Sequence, residues 1–163
     1  MTLNRLFITF GGSGLAPKAP GTVGSFTALI VGIALLQIIP MQTFFMITLL
    51  ITVIGIFEIN KYEKITNTHD DKSIVIDEVS GMWIALMFAI ATAETISYDY
   101  AYEIAIITSF GAFRLFDIWK PSIIGTIDRK VKGGIGVMGD DIVAGIAGGM
   151  LSVILLKIFN IIL

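Results

Sequence analysis

Two pairs of adjacent acids carry the first chemical suggestion in this sequence: Asp77-Glu78 and Asp140-Asp141, each directly ahead of an apolar stretch. An acid at a helix start complements the helix dipole, and for either pair alone that is the plainer explanation. Repetition favours chemistry. Carboxylates brought together repel strongly unless cations or protons intervene, and a hard divalent ion is the natural neutraliser. Mg²⁺ takes carboxylate and water oxygens and commonly bridges to a substrate phosphate. Asp77, Glu78, Asp140 and Asp141 are therefore the expected metal ligands, with Asp77 and Glu78 also counted among the catalytic groups.

Cationic candidates follow. Arg114, Asp117 and Lys120 recur at three-residue spacing and would share one helix face, with Pro121 ending the helix near Lys120. The plainer reading is an interfacial anchor, with Trp119 at headgroup level and the basic residues on anionic lipid. The chemical reading has Arg114 and Lys120 hold a phosphoryl group while Asp117 contributes to the metal. Asp128, Arg129, Lys130 and Lys132 then precede Gly133, Gly134, Gly136 and Gly139. Glycines let backbone amides approach an anion, and the basic cluster adds an attracting field. Asp128 and Lys132 are read as catalytic. Arg129 and Lys130 fit a solvated basic loop, and Arg129 is kept as a substrate-binding candidate with Gly133 and Gly134. The irregular run Gly11 to Ser25, rich in glycine and proline, suits a site wall and offers Ser13 and Thr22 to the substrate. His69, the single histidine, is read as a polar loop residue.

The elements that must position these groups belong to a membrane. The chain has 163 residues, 55% apolar and 15% charged, with a mean hydropathy of +0.88, whereas a soluble domain carries roughly a quarter charged residues. Apolar stretches run from about Gly24 to Ile39, Met41 to Phe57, Val79 to Ala93, Ala101 to Phe116 and Ile142 to Leu163, with Pro40 dividing the first two. They predict an all-α, compact integral membrane bundle of about five short helices, with re-entrant or irregular loops at the cytoplasmic face. Residues 1–163 form a single domain in this reading. Only the last stretch spans comfortably, since a crossing needs about 20 residues. Positive charge marks the cytoplasmic side. Arg5, Lys18, Lys61, Lys64, Lys72, Lys120, Arg129, Lys130 and Lys132 all fall on one side of a five-span topology, while the other receives Glu94, Asp99 and Glu103. Lys157 alone departs, and its long stem can snorkel. The N-terminus is expected inside and the C-terminus outside, so the three polar segments meet one membrane face. Met1 to Phe10 lacks signal-peptide character, so the whole chain is taken as mature.

Several chemistries are excluded or unsupported. With no cysteine there is no thiolate nucleophile, thiolate metal site or disulfide. No lysine follows the Walker glycine spacing, so nucleotide binding is unsupported, and no nucleic-acid partner is expected. No Asp-x-Asp haloacid-type motif occurs. A small membrane cation-binding or transport protein is the rival reading, but such proteins place ionisable groups within their spans, and these spans are nearly free of charge.

Three blocks, GGSGLAPKAPGTVGS, SIVIDEVSGMWI and FRLFDIWKPSIIGTIDRKVKGGIGVMGDDIVAG, resemble in order and character the phosphatidylglycerophosphatase A family. The resemblance covers most of the chain. It implies Mg²⁺-dependent hydrolysis of phosphatidylglycerophosphate to phosphatidylglycerol and inorganic phosphate, in phospholipid synthesis at the bacterial inner membrane. Expected partners are that substrate and membrane lipids, with no obligate protein partner. The nucleophile is either water, with a carboxylate taking its proton, or an aspartate directly.

Overall fold

The computed structural model describes residues 2–68 and 71–162. Among them the chain forms α1 (Leu3–Ile8), a 3₁₀ turn (Ser13–Leu15), α2 (Pro20–Leu36), α3 (Met41–Thr66), α4 (Ile76–Ala93), α5 (Ala101–Trp119), α6 (Ile123–Lys130) and α7 (Gly133–Ile162), with no strand. The five apolar stretches become α2, α3, α4, α5 and α7. The two additional helices, α1 and α6, span 6 and 8 residues and are too short to cross a bilayer. The expected count of about five is thus low by these two polar-end helices.

Boundaries follow local chemistry. Pro20 occupies the first turn of α2, where its missing N–H costs nothing. Pro40 separates α2 from α3 and precedes the first residue of α3. Left-handed residues stop α3 at Asn67 and α5 at Lys120, the latter followed by Pro121.

α3, α4 and α7 are long and apolar enough to cross a membrane, and α2 is a shorter apolar helix. At 1.5 Å per residue, the 30 residues of α7 extend about 45 Å, beyond a hydrocarbon core of about 30 Å. The Ile142–Ile162 portion alone matches that thickness, which leaves the first turns of α7 at the polar end of the bundle.

α4 is the central helix, packed against α2, α3, α5 and α7. Trp83 is fully enclosed on it, its indole Nε1 donating to the Ala28 carbonyl at 2.7 Å and its ring lying 4.9 Å from that of Phe44. A buried indole needs such an acceptor. Glycine brings helix backbones together: a Cβ on Gly81 of α4 would sit 2.5 Å from both the Asp141 carbonyl oxygen and the Phe113 ring. Gly145 of α7 packs on the backbone of Gly81, where an added Cβ would lie 2.8 Å from its Cα. In lipid, where apolar side chains gain little by leaving their solvent, such close approach is what holds helices together.

One expectation is corrected. The last apolar stretch predicts a helix from Ile142, with the glycine-rich run Gly133 to Asp141 outside it, but that run forms the opening turns of α7. The low helix propensity of glycine is overridden by packing: Gly134 lies against the backbone of Ile56 in α3, and Gly136 against that of Val131. The Gly134 N–H donates to Asn60 Oδ1 at 2.8 Å, which anchors the start of the helix to α3.

Candidate active site

The polar end of the bundle gathers the starts of α2, α4 and α7 with the end of α5 and all of α6. They enclose a cavity of about 420 Å³, whose wall includes Gly21, Asp71, Lys72, Asp77, Glu78, Asp117, Lys120, Asp128, Arg129, Lys132, Asp140 and Asp141. Each helix supplies side chains at its own spacing. α4 contributes Asp77 and Glu78 from its first turn. α7 contributes Asp140 and Asp141 about two turns in, so the helix-dipole explanation does not serve the second pair.

The two adjacent aspartates of α7 part company. Asp141 joins Asp77 and Glu78, and each of the three offers an oxygen within 4.8 Å of the others. Asp77 Oδ1, Glu78 Oε2 and Asp141 Oδ2 are all shielded from solvent and accept no hydrogen bond among the described residues. Three clustered carboxylates with orphaned oxygens are unfavourable as a purely structural arrangement. As an all-oxygen donor set they fit a hard divalent cation.

Asp140 turns to Lys120 instead. Lys120 Nζ donates to Asp140 Oδ2 at 2.6 Å and to Asp128 Oδ1 at 2.5 Å. Burial opposes the lysine's charge, but the hydrogen bonds and charges of Asp128 and Asp140 outweigh it and hold its pKa above the ordinary lysine value. This cation ties α5, α6 and α7 together. Lys120→Met would leave Asp140, whose side chain is 6% exposed, without its counter-charge. Because the lysine is itself partly exposed, the expected loss is on the order of 2 kcal/mol, less than for a fully buried pair, read as a lowered unfolding temperature in detergent.

Arg114 and Asp117, three residues apart on α5, form an ion pair. Arg114 also donates to Ser25 Oγ at 3.1 Å and Thr22 Oγ1 at 3.2 Å on α2. Asp117 faces the cavity, whereas Arg114 and Thr22 stand behind it and brace α2 against α5. Ser13 donates to the Thr9 carbonyl at 3.2 Å and does not line the cavity. Gly133 and Gly134 face Asn60. Of the proposed substrate-binding residues, Arg129 is the one on the cavity wall. His69 lies outside the described residues.

Gly21, within the run expected to wall the site, and Asp71 and Lys72 of the α3–α4 connection also belong here. Gly21 faces the Glu78 carboxylate so closely that any side chain would displace it. Asp71 accepts from Tyr62 Oη at 3.0 Å and from the Ser73 N–H at 2.9 Å, and the latter bond leads in lowering its pKa. These bonds shape the α3–α4 connection that carries Lys72 to the cavity. The nearby Asp77-Glu78 pair was the available signal for Lys72.

An all-helical bundle with membrane-length helices, closed at one end around a cavity of carboxylates and lysines, has the form of a membrane enzyme. The Phosphatidylglycerophosphatase A family matches residues 6–156, and the chain belongs to that family. It is 42% identical over 135 residues to Phosphatidylglycerophosphatase A of Escherichia coli, covering 83% of this chain and 73% of the relative. It is 37% identical over 144 residues to Phosphatidylglycerophosphatase A of Haemophilus influenzae, covering 88% and 82%. A putative phosphatidylinositol-3-phosphatase of Bacteroides thetaiotaomicron is 39% identical over 139 residues, covering 83% and 82%. No solved structure matches the chain.

Proposed function

We propose that this protein hydrolyses phosphatidylglycerophosphate to phosphatidylglycerol and inorganic phosphate, with a divalent cation, Mg²⁺ by its preference for hard oxygens, held by Asp77, Glu78 and Asp141. The observation that carries this reading is the trio of buried carboxylate oxygens without hydrogen-bond partners on the wall of a cavity that also presents lysine and arginine. When bound, such an ion supplies Lewis acidity to the phosphoryl group and favours ionisation of water.

The chain's own groups divide the remaining work. Lys120 fixes Asp140 and Asp128 and contributes positive charge to the cavity. Of the two wall carboxylates outside the trio and the Lys120 network, Asp71 is held by Tyr62 and Ser73, which leaves Asp117, oriented by Arg114, to accept the proton of the attacking water at a carboxylate oxygen. The water oxygen bonds to phosphorus, the phosphorus–oxygen bond to the terminal glycerol breaks, and the departing glycerol oxygen takes back the proton that Asp117 accepted. The acyl chains stay in the bilayer.

The cytoplasmic face is the proposed location of the cavity. Lys61, Lys64, Lys72, Lys120, Arg129, Lys130 and Lys132 cluster at the cavity end, and the α4–α5 connection at the other carries Glu94 and Asp99. The activities named for the relatives, on phosphatidylglycerophosphate and phosphatidylinositol 3-phosphate, differ in headgroup. Both lipids nevertheless carry a phosphomonoester on a headgroup that a phosphodiester joins to diacylglycerol.

The test is phosphate release from phosphatidylglycerophosphate by detergent-purified protein, with Mg²⁺ and then with chelator, and phosphatidic acid as a competing substrate. Release that stops on chelation and resumes with Mg²⁺ is expected. No release from folded, lipid-reconstituted protein would favour cation binding or transport.

A further inference from the structure

The cavity is polarised by charge in a way that its reaction does not require. Its acids are all accounted for among the described residues. Asp77, Glu78 and Asp141 form the trio, Asp140 and Asp128 hold Lys120, Asp117 pairs with Arg114, and Asp71 is occupied by Tyr62 and Ser73. Apart from Lys120, its cations are not. Lys72, Arg129 and Lys132 line the same cavity, are solvent-exposed and make no ion pair among the described residues. They come from three places in the chain: the α3–α4 connection, the last turn of α6, and the link between α6 and α7. Unpaired cations converging from separate elements on a rim, above a floor of buried acids, suit an anion that sits outside the reacting phosphate.

On the phosphatase reading above, the substrate provides such an anion. Its terminal monoester belongs at the acidic floor with the cation, and its phosphodiester lies one glycerol nearer the diacylglycerol. We infer that Lys72, Arg129 and Lys132 form a second phosphate subsite that binds the substrate's phosphodiester and selects lipids bearing both phosphates. Lysine and arginine serve such a group as charged donors, arginine in bidentate fashion. Their contribution is to binding and register and does not change at the transition state, so it belongs in KM and not in kcat.

The experiment uses the full chain in neutral detergent micelles with Mg²⁺, comparing the parent protein with the triple variant Lys72→Gln, Arg129→Gln, Lys132→Gln. The variant should raise KM for phosphatidylglycerophosphate by about tenfold or more, as expected for loss of charge-assisted contacts, with kcat within about twofold. Inhibition by glycerol 3-phosphate, a monoester without the diester, should be unchanged, while inhibition by phosphatidylglycerol, which carries only the diester, should weaken. Lys130→Gln, an exposed cation beside the cavity and off its wall, should leave KM unaltered. An unchanged KM in the triple variant, a matching rise in Lys130→Gln, or parallel loss of glycerol 3-phosphate inhibition would each overturn the subsite. Absence of turnover by the parent protein would overturn the phosphatase reading and this inference together.

Discussion

Asp141→Asn is expected to reduce turnover by about 10³-fold or more, the scale seen when a group stabilising transition-state charge is removed, without loss of folded protein. Asp141 is 3% exposed, sits in the acid trio and leaves Oδ2 unpartnered. Its replacement removes one of three converging carboxyl groups. Repulsion among Asp77, Glu78 and Asp141 therefore falls in the metal-free state, and the chelated variant should unfold at a temperature equal to or above that of the chelated parent. Mg²⁺ should then stabilise the parent and have a much smaller effect on the variant, because a ligand that binds only the folded state raises its stability by mass action. Asp77→Ala should lose turnover likewise. Asp99→Ala, in the exposed connection between α4 and α5, should remain near normal. Steady-state phosphate release alongside thermal unfolding reads both quantities, and equal activity in all three variants would sink the assignment of the site.

Gly145→Leu carries the second large effect, this time on folding. Gly145 sits where α7 crosses α4, and even a Cβ there would approach the Gly81 Cα to 2.8 Å and press on its carbonyl oxygen. Both obstacles are helix backbone and cannot rotate away. The helices must separate, which disturbs the neighbouring contacts of Gly148 with the Phe113 backbone and of Gly149 with the Phe88 ring. The expected cost exceeds about 3 kcal/mol, the upper range for overpacking, a large fraction of the stability of a small domain. The measurement is the yield of monodisperse protein in mild detergent, with the unfolding temperature of what survives. Gly111→Ala is the control: nothing lies within 4 Å of a Cβ built there, and alanine is the better helix former. A stable, monodisperse Gly145→Leu protein would mean that the α4–α7 contact does not hold the bundle together.

Much of the site was legible in the residues because its signals are local. Arg114 and Asp117 pair three residues apart on α5 as their spacing implies, although Lys120 is the left-handed residue that ends that helix, and Asp77-Glu78 marks the opening of α4. The apolar runs give α2, α3, α4, α5 and α7 their type and order, since a spanning helix must satisfy its own backbone polar groups whatever it packs against, but α3 continues past Phe57 to Thr66 and α7 begins at Gly133, ahead of Ile142. The clustering of lysine and arginine around three connections likewise places those connections at one end, as the structure finds them.

What the tertiary structure decided are the matters that depend on a neighbour. Asp140 and Asp141 look equivalent in sequence, yet successive helix residues point about 100° apart; Lys120 from α5 takes one, and the acids of α4 face the other. Arg114 and Thr22, read as substrate groups, are drawn together because α2 and α5 pack side by side. The run from Gly133 to Asp141 reads as a loop by propensity, and it is helical because Ile56 and Val131 leave space only for glycine against them. A side chain's chemical type and its spacing along one helix are written into the sequence, but which partner it meets is set by which helix faces it.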